Sequence, residues 1–231
     1  MKPTEILGRE KTPDGEELAL TRRDNIYLLS IGGMELMTSR AHGSEDALAR
    51  LGCEALGGKR SPRMLVGGLG FGFTLRAALD HLPPDARVVV CEVFASLLEW
   101  NRTVLGDLAG HPLRDPRVQA VRSDLNDYLD RGERFDVILL DVDNGPEAFT
   151  LRSNNRLYSP AGLVRLRESL NPGGVLAVWS AHPSPEFERL LRRAGFDARS
   201  EHVTARFGRC GKGRKDTIFV ARPLKAKGEK G

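Results

Sequence analysis

Short, mainly apolar runs recur along the chain from position 63 onward, and helix-like stretches separate them. The runs are Met64–Val66, Val88–Val90, Val118–Val121, Val137–Leu140 and Val175–Val178. Continuous apolar runs are typical of strands that are buried on both faces, as in a parallel sheet covered by helices. Residues 198–205 and 217–220 predict two further strands that form a terminal antiparallel hairpin. The pattern therefore predicts an α/β fold with a mostly parallel sheet.

The first 42 residues follow a different pattern. The runs Glu17–Arg22 and Ile26–Ile31 flank the turn-forming pair Asp24–Asn25, and further glycine turns lie on either side. This arrangement predicts a small β meander ahead of the main sheet. Ser44 is predicted to cap a helix that runs to Leu56.

A later helix is predicted to begin after Ser159–Pro160. It is expected to end at Asn171–Gly174, a stop signal that leads into the next strand.

Composition and charge narrow the classes of function. The 231 residues are 40% hydrophobic and 6% aromatic, which suits one domain with a Leu, Val and Ala core. The net charge is +4, but residues 206–231 alone carry +7, so the remaining 205 residues carry −3. A mildly acidic body with a basic tail is not a uniformly basic nucleic-acid binder.

Cysteine usage and hydropathy point to the cytoplasm. No stretch approaches the roughly 20 apolar residues of a membrane span, and the N-terminus lacks an apolar leader segment. Cys53, Cys91 and Cys210 are odd in number and widely spaced, which argues against a disulfide framework or a metal cluster. We expect a cytoplasmic protein without a membrane partner or a metal.

A glycine-rich segment, GGLGFG over residues 67–72, follows the first parallel strand and opens a helix. Glycine lets the backbone approach a ligand closely, and free N–H groups at a helix start attract polar or anionic groups. The segment lacks the Gly-Lys-Ser/Thr ending of a P-loop. Gly67, Gly68, Gly70 and Gly72 are therefore candidate cofactor-binding residues, although such turns also serve packing alone.

Acidic residues follow three successive strands of the predicted sheet. Glu92 lies 20 residues after the last glycine of the loop, where nucleoside ribose hydroxyls are usually bound. Asp124 is placed to accept a hydrogen bond from an adenine amino group, with Leu125 against the ring. Asp141 and Asp143 follow the fourth strand. Acids at one sheet edge fit a nucleoside that carries a cationic centre better than a dinucleotide.

With these motifs assembled, the chain resembles the spermidine synthase-like branch of the class I S-adenosylmethionine-dependent methyltransferase superfamily from about Gly33 to Val220. The segments that carry the resemblance are MLVGGLGFG, VVVCEVFASLLEWNR, DPRVQAVRSDLNDYL, FDVILLDVDNGPE, LYSPAGLVRLRESLNPGGVLAVWS and DTIFVARP. The resemblance implies a Rossmann-like, seven-stranded sheet with a C-terminal hairpin, an N-terminal β appendage and a homodimer. We expect the appendage at 1–42, an S-adenosylmethionine-binding transferase domain at 43–222 and a disordered basic tail at 223–231.

The resemblance also implies roles for single residues. Glu92 matches the ribose-binding acid, Asp124 the adenine-side acid, Asp141 the acid at the reacting centre, and Tyr158 the tyrosine of the LYS segment. Asp141 is then the candidate that orients or deprotonates the nucleophile. Asp143 is expected to line the acceptor pocket, and Tyr158 to act as a wall or donor.

The chain departs from the family at three places. The family's glycine loop GGGDGG has an acid where this chain has Gly70, and the paired acids of D-x-x-D-P appear as Asp141 and Asn144. A tyrosine-containing segment is replaced by residues 40–45. A loop acid would repel the carboxylate of intact S-adenosylmethionine, so Gly70 favours the intact donor. We therefore expect methyl transfer to a small-molecule nucleophile, such as an amine.

Three alternatives stay open at this stage. The first is an aminopropyltransferase that uses decarboxylated S-adenosylmethionine to make a polyamine. The second is an RNA or protein methyltransferase guided by a basic C-terminal segment, whose cations are Arg206, Arg209, Lys212, Arg214 and Lys215. The third is a non-catalytic nucleoside-binding module. His42 and His182 are alternative bases, and Trp179 is expected to be core.

Overall fold

A computed structural model describes residues 3–12, 15–142, 156–205 and 214–224 of the chain. The described strands are β1 (Glu5–Lys11), β2 (Glu17–Arg23), β3 (Ile26–Ile31), β4 (Met34–Thr38), β5 (Arg63–Gly67), β6 (Arg87–Glu92), β7 (Val118–Arg122), β8 (Phe135–Leu140), β9 (Leu170–Ser180), β10 (Phe196–Ala205) and β11 (Arg214–Pro223). The described helices are α1 (Gly43–Leu56), α2 (Phe73–His81), α3 (Ala95–Arg102), α4 (Leu125–Leu129), α5 (Pro160–Glu168) and α6 (Pro185–Arg193), with short 3-10 helices at Gly106–Ala109 and Pro112–Arg114.

The larger sheet has seven strands in the order β10-β11-β9-β8-β5-β6-β7. Strands β5 to β9 pair in parallel, whereas β11 is antiparallel to both β9 and β10. The predicted α/β fold class and terminal hairpin are therefore confirmed. Because β11 runs against its neighbour β9, it begins at the edge where the parallel strands end.

Both faces of the sheet are covered at its central strands β5, β6, β8 and β9, which explains why these strands contain continuous apolar runs. Met64 and Val66 of β5 join a core that includes Leu48 of α1 and Leu75 of α2. Leu65, between them, joins a core on the opposite face with residues of α4, α5 and α6. Successive side chains of a strand point to opposite faces, so a strand buried on both faces has no polar alternation.

Two predicted boundaries were wrong. The Asn171–Gly174 segment lies within β9 rather than in a turn, because α5 already ends at Glu168. Ser44 does not cap α1, since the N-cap residue is His42 and no side chain bonds there. The Ser44 hydroxyl lies inside the helix and donates instead to Oε2 of Glu45 at 2.7 Å. Ser159 does cap α5, where its side chain accepts from the Gly162 N–H.

The N-terminal residues form a second sheet of four antiparallel strands in chain order, β1 to β4. The predicted meander is therefore present, with one more strand on each side of the two predicted runs. Its buried residues pack against Phe71, Phe73 and Trp100 of the main body. A Cβ atom at Gly8 would lie 2.5 Å from the Trp100 ring, so the indole rests directly on the β1 backbone. This sheet covers the glycine loop and α3.

Glu10 of β1 joins the two sheets through a polar contact. Its Oε2 accepts a hydrogen bond from the Ser96 N–H at 2.8 Å, in the first turn of α3. The N-cap residue of α3, Phe94, offers no side-chain bond of its own. A carboxylate at a helix N-terminus satisfies a free N–H and the helix dipole.

We expect Glu10→Ala to lower the free energy of unfolding by about 1 kcal/mol, the usual cost of losing an N-terminal cap. Chemical denaturation of the purified chain measures this. Glu35→Ala removes an exposed carboxylate from the same sheet and serves as the control. Equal stability of the two variants would show that Glu10 does not stabilise α3.

Several expectations fall on residues outside the described ranges. They are residues 225–231 of the tail predicted at 223–231, Cys210, and the candidate cations Arg206, Arg209 and Lys212. The predicted start of the tail was wrong, since Pro223 is the last residue of β11. The domain limits, the homodimer and the cytoplasmic location stay predictions. Within the described ranges, none of the helices has the length and apolar character needed to cross a membrane.

Candidate active site

The glycine loop passes directly over the end of a neighbouring strand. Gly68 has a φ of +87°, and a Cβ atom there would lie 2.4 Å from the carbonyl oxygen of Asp141. The Asp141 N–H donates to the Gly67 carbonyl at 2.9 Å, so the ends of β5 and β8 are joined. Only glycine fits both this φ and this contact. The loop therefore lies beside the first residue after β8.

Two contacts fix Gly70 from outside the loop. The buried amide of Asn101 donates to the Gly70 carbonyl at 2.9 Å. A Cβ atom at Gly70, where φ is +50°, would lie 2.9 Å from the sulfur of Met37 in β4. The N-terminal sheet thus fills the space next to the position where the resembling family has an acid. An aspartate at position 70 requires Met37 to move.

Glu92 ties the glycine loop to the end of β6. Its Oε2 accepts from the Leu69 N–H and its Oε1 from the Phe94 N–H, both at 2.9 Å. The carboxylate is buried, which raises its pKa, and these backbone N–H groups partly oppose that rise. The Val93 backbone N–H also favours the ionised carboxylate, so three donors leave at least one of its lone pairs unused, and the predicted contact to a ribose stays a prediction.

Asp124 is the N-cap residue of α4. Its Oδ1 accepts from the Asn126 N–H at 2.7 Å and from the Asn126 side-chain amide at 3.1 Å. Within the part of the chain that the structure describes, no hydrogen bond is formed to Oδ2. Leu125 packs on the glycine loop, since a Cβ atom at Gly67 would lie 2.6 Å from Leu125 Cδ2. The structure therefore brings the predicted adenine-side residues to the start of the loop.

Asp141 is held by a residue that sequence reasoning did not identify. The hydroxyl of Thr74, in the first turn of α2, donates to Asp141 Oδ2 at 2.5 Å. Burial, together with the negative charge of Asp216, raises the pKa of Asp141 to about 6, and the Thr74 bond opposes the rise.

Two further carboxylates lie close enough to interact with Asp141. Glu45 of α1 is 8% exposed, and burial, together with the charges of Asp141 and Asp216, raises its pKa to about 7. Asp216 is fully buried near the start of β11. We call Glu45, Asp141 and Asp216 the carboxylate trio. Asp141 places this trio next to the glycine loop, and the electrostatic repulsion among its members is one cause of the raised pKa values of Glu45 and Asp141.

The other predicted site residues are distributed as follows. The Tyr158 ring is buried and packs edge-on against Phe187, with 5.6 Å between centroids, so its role at the reacting centre stays a prediction. His42 stacks on Phe73 at 4.5 Å, and His182 is exposed. Asp143 and Asn144 lie outside the described residues.

Trp179 and the possible metal ligands complete the comparison with the sequence-based predictions. Trp179 is buried in the core, as expected. The described ranges contain no group of three or more His, Cys, Asp or Glu side chains arranged to hold a metal ion.

Comparison with characterised proteins relates the chain to one group of enzymes. No family model matches it. The chain is 30% identical over 200 residues to the polyamine aminopropyltransferase of Mycobacterium tuberculosis, an alignment that covers 81% of this chain and 36% of the relative. It is 29% identical over 182 residues to the polyamine aminopropyltransferase of Corynebacterium efficiens, covering 75% and 33% respectively. The chain thus spans about a third of the length of these curated relatives.

Solved structures show the same architecture. The chain superposes on spermidine synthase from Thermotoga maritima with a TM-score of 0.75 and 18% sequence identity, covering 96% of this chain and 74% of that one. For a spermidine synthase in complex with the transition state analogue AdoDATO, the TM-score is 0.73 at 17% identity, covering 94% and 72%. These structures confirm the predicted Rossmann-like fold. Together with the curated relatives, they confirm the resemblance to the spermidine synthase-like branch.

Proposed function

We propose that the chain transfers an aminopropyl group from decarboxylated S-adenosylmethionine to a small amine. The carboxylate trio beside the glycine loop is the observation that carries this proposal. The names of the curated relatives favour the same reaction. They support the alternative of aminopropyl transfer over the methyl transfer that the sequence led us to expect.

The charge of the trio favours a donor without a carboxylate. Intact S-adenosylmethionine carries an α-carboxylate, which buried negative charges repel, whereas the decarboxylated donor carries only positive charge. The expectation of methyl transfer depended on Gly70, which leaves the loop without an acid. Glu45 and Asp216 supply negative charge from α1 and β11 instead. The reason for preferring the intact donor is therefore removed.

The residues around the glycine loop fit the nucleoside part of such a donor. Glu92 is placed to bind ribose hydroxyls through its remaining lone pairs, and Oδ2 of Asp124 is available to accept from an adenine amino group. Leu125 provides an apolar surface at the same edge. The backbone of Gly68 and Gly70 leaves room for close approach.

Asp141 is the residue proposed to act on the acceptor. When bound, the donor supplies an electrophilic carbon next to a sulfonium, which takes the amine lone pair as its C–S bond breaks and a neutral thioether leaves. An ammonium has no lone pair, so the acceptor must lose a proton before or during attack. The Asp141 carboxylate accepts that proton and orients the nitrogen, while Thr74 fixes the carboxylate. Glu45 and Asp216 favour the cationic acceptor electrostatically.

Product analysis tests this proposal. The purified chain is incubated with a panel of diamines and either donor, and the nucleoside product is identified by mass spectrometry. We expect methylthioadenosine from the decarboxylated donor. Formation of S-adenosylhomocysteine from the intact donor would instead support methyl transfer. The absence of both products across the panel would contradict transfer altogether.

The pH dependence of acceptor use follows from the raised pKa values. Asp141 and Glu45 bind a cationic amine when ionised, so acceptor kcat/KM is expected to fall as pH drops through about 7 to 6. Thr74→Val removes a donor that favours ionised Asp141. The Asp141 pKa is therefore expected to rise further, and the decrease of acceptor kcat/KM at low pH is expected to begin about one pH unit higher.

The pH profiles of wild type, Thr74→Val and Thr74→Ser measure this shift. The amine acceptor also titrates, but its titration affects the kcat/KM of every variant equally. Dividing the profile of one variant by that of the wild type therefore leaves only the effect of the Asp141 pKa. Thr74→Ser keeps the hydroxyl and is expected to follow the wild type. Superimposable profiles for wild type and Thr74→Val would show that the Thr74 bond does not control Asp141.

A further inference from the structure

A chain of side-chain hydrogen bonds links α5 to Asp124. The Arg165 guanidinium in α5 donates through Nη2 to Oδ1 of Asn126 at 2.5 Å. The side-chain amide of Asn126 in turn donates to Oδ1 of Asp124 at 3.1 Å. Asn126 is buried between these two groups. Arg165 lies 39 residues along the chain from Asn126, so only the tertiary fold brings them together.

The chemistry of the three groups determines how the amide is turned. A guanidinium only donates hydrogen bonds and a carboxylate only accepts them. Arg165 therefore requires the amide oxygen of Asn126, which directs the NH₂ group towards Asp124. In the opposite orientation, a donor would face a donor and an acceptor would face an acceptor, both in a buried environment where unmet polar groups are costly.

The amide orientation has a consequence for Asp124. Its Oδ1 receives two donors, from the backbone and the side chain of Asn126. This fixes the rotation of the carboxylate and leaves Oδ2, which accepts no hydrogen bond from the described residues, as the oxygen that can accept from a ligand. A carboxylate held in one rotamer loses less entropy when it binds a ligand donor.

We propose that Arg165 is a positioning residue, which acts through Asn126 to hold Asp124 for recognition of the exocyclic amino group of adenine. This inference depends on the proposed function, in which Asp124 lies on the adenine side of the site. If Arg165 had a purely structural role, it would only join α5 to α4. Its removal would then weaken the binding of every ligand by the same factor. A positioning role instead changes discrimination between bases that differ at this amino group.

Calorimetry with two nucleosides tests the inference. The probes are methylthioadenosine and its 6-deamino purine analogue, which lacks only the amino donor. The wild type is expected to bind methylthioadenosine about tenfold more tightly, as for one hydrogen bond to a charged acceptor. Arg165→Leu is expected to reduce this ratio to about twofold, and Arg165→Lys to an intermediate value because an ammonium still donates.

Two further variants keep the test independent of folding effects. Arg167→Leu is the matched control, since Arg167 lies on the same helix and donates to the Ala194 carbonyl instead. It is expected to keep the wild-type ratio. Asn126→Asp retains a partner for Arg165 but removes the donor to Asp124, and is expected to lower the ratio as Arg165→Leu does. Thermal unfolding confirms that each variant is folded.

The outcomes separate the inference from the proposed function. A wild type that discriminates, with folded Arg165→Leu and Asn126→Asp variants that discriminate equally well, would overturn the role of Arg165. A wild type that binds both probes equally would overturn the adenine contact of Asp124 as well. A wild type that binds neither probe would overturn the nucleoside site itself.

Discussion

Replacing Asp141 by asparagine is expected to lower turnover of the decarboxylated donor with an amine by about a thousandfold. The amide oxygen of the new side chain still accepts from Thr74, whose hydroxyl lies 2.5 Å from the carboxylate in the wild type. The change therefore removes the negative charge and the proton acceptor but keeps the local geometry. Losses of about two to four orders of magnitude are typical when a general base is removed.

Steady-state turnover and product binding together measure this effect. Methylthioadenosine is expected to bind Asp141→Asn within about threefold of the wild type, because the proposed nucleoside contacts lie on Glu92 and Asp124. Asp107→Asn is the control, since Asp107 is exposed in a 3-10 helix and pairs with His111. Full turnover by Asp141→Asn with unchanged product binding would leave Asp141 without its proposed role.

Replacing Glu45 by glutamine is expected to stabilise the fold at alkaline pH while impairing use of the acceptor. Burial and neighbouring carboxylates raise the pKa of Glu45 to about 7, above its usual value of 4.5. A carboxyl group whose pKa is raised on folding opposes folding once it ionises, so the penalty grows as pH rises from about 4.5 to 7 and is complete above. Glutamine avoids it and still accepts from Ser44.

The free energy of unfolding at two pH values measures this penalty. At pH 8 we expect Glu45→Gln to be more stable than the wild type by about 2 to 3 kcal/mol, and at pH 4 to be equal to it. The KM for the amine is expected to rise about tenfold, because one attractive charge is lost. Such a gain in stability at the expense of function is common at active sites.

Glu54→Gln provides the matched control for Glu45→Gln. Glu54 lies on the same helix, is exposed and pairs with Arg50 at 3.0 Å. An exposed ion pair of this kind contributes little, so the control is expected to stay within about 0.5 kcal/mol of the wild type at both pH values. A Glu45→Gln variant with the same stability profile as Glu54→Gln would show that Glu45 is not destabilised by burial.

The order and type of the central elements were predictable because burial on both faces leaves a direct mark on the sequence. Four of the five parallel strands contain a continuous apolar run, the exception being β7 with Gln119, and the glycine loop is followed by α2. The strand start at Leu170 was not predictable from turn-forming residues. Asn171–Gly174 forms an irregular stretch of β9, because Leu170 pairs with Phe135 and Val175 with Val137, and the residues between them have no partner in β8.

Glu92, Asp124 and Asp141 could be found by sequence because each follows or ends a parallel strand, and such ends meet at one edge of the sheet. Asp216 could not be found in this way, because it does not follow a parallel strand. It lies at the start of a strand that runs antiparallel to β9, in a segment that reads as a basic tail. Glu45 lies inside a helix whose sequence gives no sign that its carboxylate interacts with Asp141.

The contacts around the glycine loop were also beyond sequence reasoning. Thr74 and Asn101 are ordinary helix residues in the sequence, and only the fold brings them to Asp141 and Gly70. The missing loop acid at Gly70 pointed to intact S-adenosylmethionine. The structure brings carboxylates of other elements into interaction with Asp141, which a comparison of motifs position by position does not detect.

Competition between the two donors tests the central claim most directly. The wild-type chain is given equimolar intact and decarboxylated S-adenosylmethionine with a reactive diamine, and methylthioadenosine and S-adenosylhomocysteine are quantified together. The carboxylate trio predicts methylthioadenosine in excess of at least about a hundredfold, because the intact donor brings a carboxylate against buried negative charge. Equal amounts of the two products, or an excess of S-adenosylhomocysteine, would contradict it.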